Sequence, residues 1–220
     1  MIGSWIELTR PAFTGHHFFR AIRVAVMCLA LWGLIAFVLL LYLRPVAIRG
    51  TQVVSIMPPG ALPFCMRTPL DCQKATPATM PGNGFYDLDK LNYVVNRTIT
   101  PEMPELTAEH SINYWQVLPD GGAGPCIDYA LTKRHRLIGL GYPSGAFSVA
   151  IVHVNGSPAS VYHAVLVARL ADKLYVLDNL TNHVAHIEDR DDLTWVSHSG
   201  FGDLWNWQPG APSPADFPRS

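Results

Sequence analysis

Apolar residues crowd one stretch of the chain and recur with a helical or strand period in several others. Val24 to Leu43 is twenty residues without a charge. As a helix rising about 1.5 Å per residue it would span about 30 Å, the thickness of a bilayer's hydrocarbon core. Arg20 and Arg23 precede it, and Arg44 and Arg49 follow. A cleaved signal peptide is the other reading, but its apolar region usually runs to about 7–15 residues and ends at a small-residue site. The exit here is Leu-Arg-Pro-Val-Ala-Ile-Arg-Gly, so residues 24–43 are expected to be an uncleaved, single-pass transmembrane helix. Arg10, Arg20, Arg23 and the amino terminus make the first side the more basic one. By the positive-inside rule, residues 1–23 are then cytoplasmic and everything after residue 43 lies outside.

Beyond the span, residues 44–84 are rich in proline and glycine, which predicts a lead-in of short ordered pieces. Asp87 is placed to cap a helix carrying Leu88, Leu91, Val94 and Val95, with Pro101 and Pro104 as its stop. Pro119 to Gly124 reads as a loop, and Pro125 suits the first turn of a helix. From Cys126 to Leu140 apolar residues recur at 127, 130, 131, 137 and 138. Gly141 and Pro143 end that helix, and Lys133, Arg134 and Arg136 suit its C-terminal half through the dipole. After Pro143 the period becomes two. Strands are expected at Ala146–Val154, Val161–Arg169, Lys173–Leu177 and His183–Ile187, with a tight turn at Asn155-Gly156 between the first two. A helix followed by an antiparallel meander indicates an α+β fold. Residues 208–220, proline-rich from Pro209 on, read as a loose tail.

Composition narrows the classes. The 220 residues are 49% hydrophobic, with 16 Lys+Arg against 17 Asp+Glu. That suits one globular domain with an appendage and excludes a disordered or collagen-like chain. Without a basic excess there is no broad electrostatic grip on nucleic acid. Four cysteines, Cys28, Cys65, Cys72 and Cys126, are too few for a disulfide scaffold. Cys28 falls in the span. Cys65 and Cys72 could bridge over a small loop in an oxidising compartment, or be two unrelated thiols.

Cys126 stands at the start of a helix behind a glycine-rich loop, where unpaired backbone N–H groups and the positive end of the dipole favour a thiolate. Alone, a free cysteine is more often a small buried apolar residue, so it needs a base and an orienting group. If Val161–Arg169 and Lys173–Leu177 form a hairpin turning at Leu170-Ala171, His163 lies directly opposite Asp178 on the same face, within reach of a hydrogen bond. Asp178 would then orient His163, leaving the other ring nitrogen for Cys126.

These residues resemble the bacterial transglutaminase-like cysteine peptidases. The similarity runs over about residues 64–207, which would be the catalytic domain. It includes Phe-Cys-Met-Arg-Thr-Pro at 64–69, Val-Asn-Arg-Thr-Ile at 95–99 and Trp115. Its strongest pieces are Gly-Pro-Cys-Ile-Asp-Tyr-Ala-Leu-Thr-Lys at 124–133, Tyr-His-Ala-Val-Leu at 162–166 and Tyr-Val-Leu-Asp-Asn-Leu at 175–180. The resemblance implies a papain-like, transglutaminase-type core, with Cys126 as nucleophile, His163 as general base and Asp178 as its orienter. Family members carry acidic residues on both sides of the cysteine, and the best-known relatives, periplasmic proteases that release biofilm adhesins, use that region to bind calcium. Here Pro125 and Ile127 replace two of the three acids and only Asp128 remains. Calcium takes about 6–8 oxygen ligands, so both a calcium site and an adhesin substrate are in doubt. No cofactor is required by the chemistry.

The expected reaction is acyl transfer on a protein or peptide substrate. The Cys126 backbone N–H is the first oxyanion donor, and Trp115 or Gln116 is a candidate for the second. The expected setting is a bacterial inner membrane, with the catalytic domain periplasmic. An inactive binding module and an amine-accepting transglutaminase are the competing readings. Other signals carry less. His183 and His186, three apart on a strand, point to opposite faces and would not share a metal. The glycines at 121, 122 and 124 lack the Lys-Ser/Thr of a phosphate loop. Asp189-Arg190-Asp191-Asp192 reads as a solvated turn, and Trp195, Trp205 and Trp207 as core or groove lining.

Overall fold

The computed structural model describes residues 15–42, 57–103, 114–158 and 161–216. Expectations about residues 1–14, 43–56 and 217–220, and about Pro104 as a helix stop, lie outside the described residues. The chain divides into two units, Met1–Gln52 and Val53–Ser220.

The first unit contains helix α1, Gly15–Tyr42, rich in Leu, Ala and Val, with Gly33 in its interior and no proline. Among the described residues no helix is long and apolar enough to cross a membrane.

The second unit packs helices on a six-stranded antiparallel sheet. Its helices are α2 (Ala61–Arg67), α3 (Phe85–Thr98) and α4 (Cys126–Gly139). A two-residue parallel pair, β1 (Thr100–Pro101) and β2 (Ala123–Gly124), links the end of α3 to the start of α4. The sheet consists of β3 (Phe147–Val154), β4 (His163–Leu170), β5 (Lys173–Leu177), β6 (Ala185–His186), β7 (Leu193–Gly200) and β8 (Asp203–Pro209), in the spatial order β6-β5-β4-β3-β7-β8.

Strand β4 is apolar on both faces because both are covered. Ala164, Leu166, Ala168 and Leu170 enter one core with Ile127, Ala130, Leu131 and Leu137 of α4. Val165 and Val167 turn to a second cluster with Ala150, Val152, Val176, Leu193 and Phe201. The proline-rich lead-in contributes Phe64, Cys65, Cys72 and Met80 to the first core, and Cys65 and Cys72 are joined by a disulfide, S–S 2.07 Å.

Several sequence expectations shift. Strand β5 has the expected bounds, β3 and β4 begin one and two residues later than expected, and β6 shrinks to two residues. Gly156 does turn with φ +88°, but the link from β3 to β4 is longer than a tight hairpin. The Asn155 N–H is spent on the Asp192 carbonyl and its side-chain amide on the Asp191 carbonyl. Strands β7 and β8 were not expected. Asp87 lies in the first turn of α3 without capping it; its carboxylate accepts the Tyr142 hydroxyl instead. In α4, Lys133 and Arg134 do not serve the dipole from the surface. Both are buried, and Arg134 Nη1 donates to the Asp71 carbonyl at 2.6 Å. Trp207 is core while Trp205 is half exposed. His183 and His186 remain apart: His186 Nε2 meets the Tyr175 hydroxyl at 3.0 Å, whereas His183 Nδ1 lies 3.6 Å from Asp89.

Candidate active site

Three elements end at one place. Cys126 opens α4, His163 opens β4, and Asp178 is the residue just past β5. The β4–β5 hairpin turns at Ala171-Asp172, with Leu170 opposite Lys173 and Leu166 opposite Leu177. The expected register is therefore two residues off, because Ala171 takes the positive φ of the turn, +52°. A shift of two keeps every side chain on its face. Continued to the hairpin's end, the true register places Asp178 opposite Val165 and diagonal to His163, still on the same side. The diagonal is short enough for a bond: His163 Nε2 lies 2.7 Å from Asp178 Oδ1. Cys126 lines the same groove as His163, and its charge favours the protonated imidazole.

Asp178 is fully buried, and every oxygen is used. Oδ1 also accepts the Leu180 N–H at 3.0 Å, and Oδ2 accepts Arg190 Nη2 at 2.8 Å. Arg190 is itself gripped by Asp192, through Nε at 2.7 Å and Nη2 at 2.8 Å. From α3, Asn96 Nδ2 donates to the carbonyls of Asp178 and Thr181, both at 2.9 Å. The backbone carrying the carboxylate is thereby tied to a helix.

Burial alone would raise the Asp178 carboxyl, but His163, the Leu180 N–H and Arg190 outweigh it and hold the carboxyl well below the usual range. Burial likewise pulls His163 down, yet bonds and charges from Asp178 and Cys126 win and push it up to about 9. The folded state thus binds this proton more tightly than the unfolded chain. The resulting stabilisation is fully present below the ordinary value of 6.5 and is lost as pH rises through about 9. Melting temperatures of wild type and His163→Gln, compared from pH 6 to 10, should converge towards the alkaline end.

The oxyanion candidates separate. Trp115 is buried, its ring 6.1 Å from that of Trp207, and its carbonyl accepts Arg67 Nη2 at 2.8 Å; its side chain belongs to the core. Gln116 is half-buried, and its backbone N–H donates to Asp128 Oδ1 at 3.0 Å, which leaves its side-chain amide. A groove of about 290 Å³ runs past Cys126, lined by Glu102, Met103, Gly124, Tyr162, His163 and Asn179 among others.

The residues present do not fit calcium. Asp128 has Pro125 and Ile127 where further carboxylates would stand, and one of its oxygens is committed to the Gln116 N–H. Among the described residues no group of three or more His, Cys, Asp or Glu side chains is arranged to hold a metal.

Sequence reasoning missed three contributors. Arg190 was read as part of a solvated turn but is buried, because the turn folds back onto Asp178. Asn96 falls in the Val-Asn-Arg-Thr-Ile piece at 95–99, which does not name Asp178 as its partner. Lys133 is buried with Nζ unpartnered by any hydrogen bond; burial lowers it to about 7 against the pull of Asp178. An arginine flanked by acids just past the triad's aspartate was the only available signal, and it names no partner.

A family model described as bacterial transglutaminase-like cysteine proteinase, BTLCP, matches residues 51–209. No curated protein matches the chain. Similar solved structures include LapG of Legionella pneumophila in a calcium-bound form, 26% identical, covering 51% of this chain and 63% of that one with a TM-score of 0.44. An EGTA-treated form of the same protein is 22% identical over 58% of this chain and 67% of that one, TM-score 0.46. A further LapG structure is 22% identical, over 59% and 70%, TM-score 0.46. The chain thus spans less than two thirds of the length of the calcium-bound LapG it matches.

Proposed function

The chain belongs to the bacterial transglutaminase-like cysteine proteinases, and on that footing we propose that it is a membrane-anchored cysteine peptidase or amidase working through a thioester acyl-enzyme. The observation that carries this reading is the imidazole of His163, bonded to a buried carboxylate at 2.7 Å in the groove that Cys126 also lines. The Cys126 thiolate attacks the substrate carbonyl, and negative charge gathers on the carbonyl oxygen beside the Cys126 backbone N–H. The intermediate collapses as protonated His163 gives its proton to the leaving amine. Neutral His163 then takes a proton from water, which attacks the thioester and releases the acid. Asp178 keeps the imidazole oriented and supports its positive charge, while Arg190 and Asn96 keep Asp178 in place.

Hydrolysis is preferred to amine transfer because family membership names a proteinase. It is preferred to an inactive binding module because His163, bonded to Asp178 at 2.7 Å, lines the same groove as Cys126. The anchor reading is supported by the uncharged run at residues 24–43 and by the continuous helix α1 over most of it. The substrate would be a protein or peptide on the periplasmic face of the inner membrane.

One experiment addresses both parts. Cells expressing the full chain are treated with a thiol-reactive peptidyl probe, and their membranes are washed with alkaline carbonate. Wild type should be labelled and stay in the pellet, Cys126→Ala should be unlabelled, and a form lacking residues 1–43 should leave the pellet. Labelling that survives Cys126→Ala would sink the catalytic reading, and release of wild type by carbonate would sink the anchor.

A further inference from the structure

Two segments bring apolar surface into the groove past Cys126. One follows α3. Its Thr100 and Pro101 pair with Ala123 and Gly124, and the Glu102 N–H continues the ladder to the Gly124 carbonyl at 3.0 Å. Just before it, the Ile99 carbonyl accepts the Tyr129 hydroxyl of α4 at 2.8 Å, and the Ile99 side chain is buried with Val95, Leu118 and Tyr129. The backbone at Glu102 is thus fastened to the loop and the helix that carry the nucleophile. The other segment is Val161 and Tyr162, which lead into His163.

Pro101, Met103, Val161 and Tyr162 make the lining mostly apolar, and among the lining residues Glu102 alone carries a fixed charge. Cys126 and His163 line the groove as well, but as thiolate and imidazolium their charges cancel. The net charge of the lining is then that of one carboxylate. Glu102 is exposed, and among the described residues no cationic side chain forms a salt bridge with it. We propose that Glu102 is a specificity-determining residue, and that the enzyme selects protein segments with an arginine or lysine close to the scissile bond. The inference rests on the proteinase reading above and names the substrate class of that site. A long basic side chain suits this lining in both its parts. Its aliphatic stem can lie on Met103 and Val161 while its charged head reaches the Glu102 carboxylate. Tyr162 adds an aromatic face for a guanidinium, and its ring is steadied by His153, 4.4 Å away between centroids. An acidic side chain would meet Glu102 as a like charge, and an aliphatic one would gain nothing from it, so both are disfavoured relative to the basic one.

The test uses the full chain, with Cys126→Ala as the blank, on three pools of internally quenched peptides. The pools are random except for one fixed central residue, Arg, Leu or Glu. Wild type should cleave the Arg pool about fivefold faster than the Leu pool and more than about 20-fold faster than the Glu pool. Mass spectrometry should place the cut beside the fixed arginine or next but one to it. The Arg-to-Leu ratio should fall about threefold between about 25 mM and about 500 mM salt, because the carboxylate is exposed. Glu102→Gln should bring that ratio to within about twofold of unity, and Tyr162→Leu should lower it about twofold. Glu102→Arg should favour the Glu pool over the Arg pool. Ratios within one protein are the readout, because a variant that merely folds less well loses all three pools alike. An Arg-to-Leu ratio near one in wild type, or a ratio that survives high salt or Glu102→Gln, would overturn the inference and leave the proteinase reading standing. Cleavage of no pool by wild type above the Cys126→Ala blank would overturn that reading, and this inference with it.

Discussion

Asp178→Asn should lower turnover of a peptide or amide substrate by between about 10² and 10⁴ at neutral pH. The carboxylate accepts from His163 Nε2 at 2.7 Å, which obliges Nε2 to carry its hydrogen and frees Nδ1 to take the thiol proton. An asparagine can turn its NH₂ towards the imidazole and select the opposite tautomer, whose Nδ1–H cannot act as a base. The charge matters as well. Burial already pulls His163 down, and Asp178 is the first of the groups that reverse this. Without the carboxylate, the imidazolium needed to protonate the leaving amine becomes scarce. The pH–rate profile should therefore lose amplitude and shift its alkaline limb to lower pH. Measurement of kcat/KM from pH 5 to 10 decides the matter. A loss below about tenfold with an unmoved limb would mean that Asp178 does not orient His163.

That the two residues meet was readable from the sequence for a reason that tolerates error. The expected hairpin turned one residue too early, so the pairing was wrong by two. Because side chains in a strand repeat every two residues, an error of two leaves both groups on one side. An error of one would have separated them. Strands β3 to β5 were legible because their apolar residues are buried on both faces and end at clear turns. Strand β7, Leu193–Gly200, was not: it buries His198 and Ser199 while Thr194 is exposed, so its pattern follows neither period. Its polar interior is satisfied across the sheet, with Ser148 Oγ donating to the Ser199 carbonyl at 2.6 Å, a partnership that one strand cannot reveal. Arg190 escaped for the same kind of reason. Four consecutive charged residues look solvated until a turn folds one of them against a carboxylate supplied from another strand.

Arg190→Met should cost more in stability than in catalysis. Removing one member of a buried pair typically costs about 3–5 kcal/mol, because the partner stays buried and charged. Here the lower end applies: Asp178 keeps His163 and the Leu180 N–H, and Asp192 is half exposed and can turn to water. A loss of about 3 kcal/mol in a domain of this size lowers Tm by about 6–12 °C. The sign of the pH effect follows from Asp178. Its folded carboxyl lies below the ordinary 3.8, so its contribution is present above that value and is lost as pH falls through the lowered one. With Arg190 gone the carboxyl is held down less firmly, and acid unfolding should begin at higher pH than in wild type. Turnover should fall only about tenfold, since the His163–Asp178 bond persists. Arg190→Lys restores the charge but cannot reach Asp178 and both oxygens of Asp192 from one planar group, so it should recover less than half of the lost Tm. Thermal melts of the three proteins at pH 7 and pH 4 would settle it: a Tm within about 2 °C of wild type for Arg190→Met would show that Asp178 is held by its other partners alone.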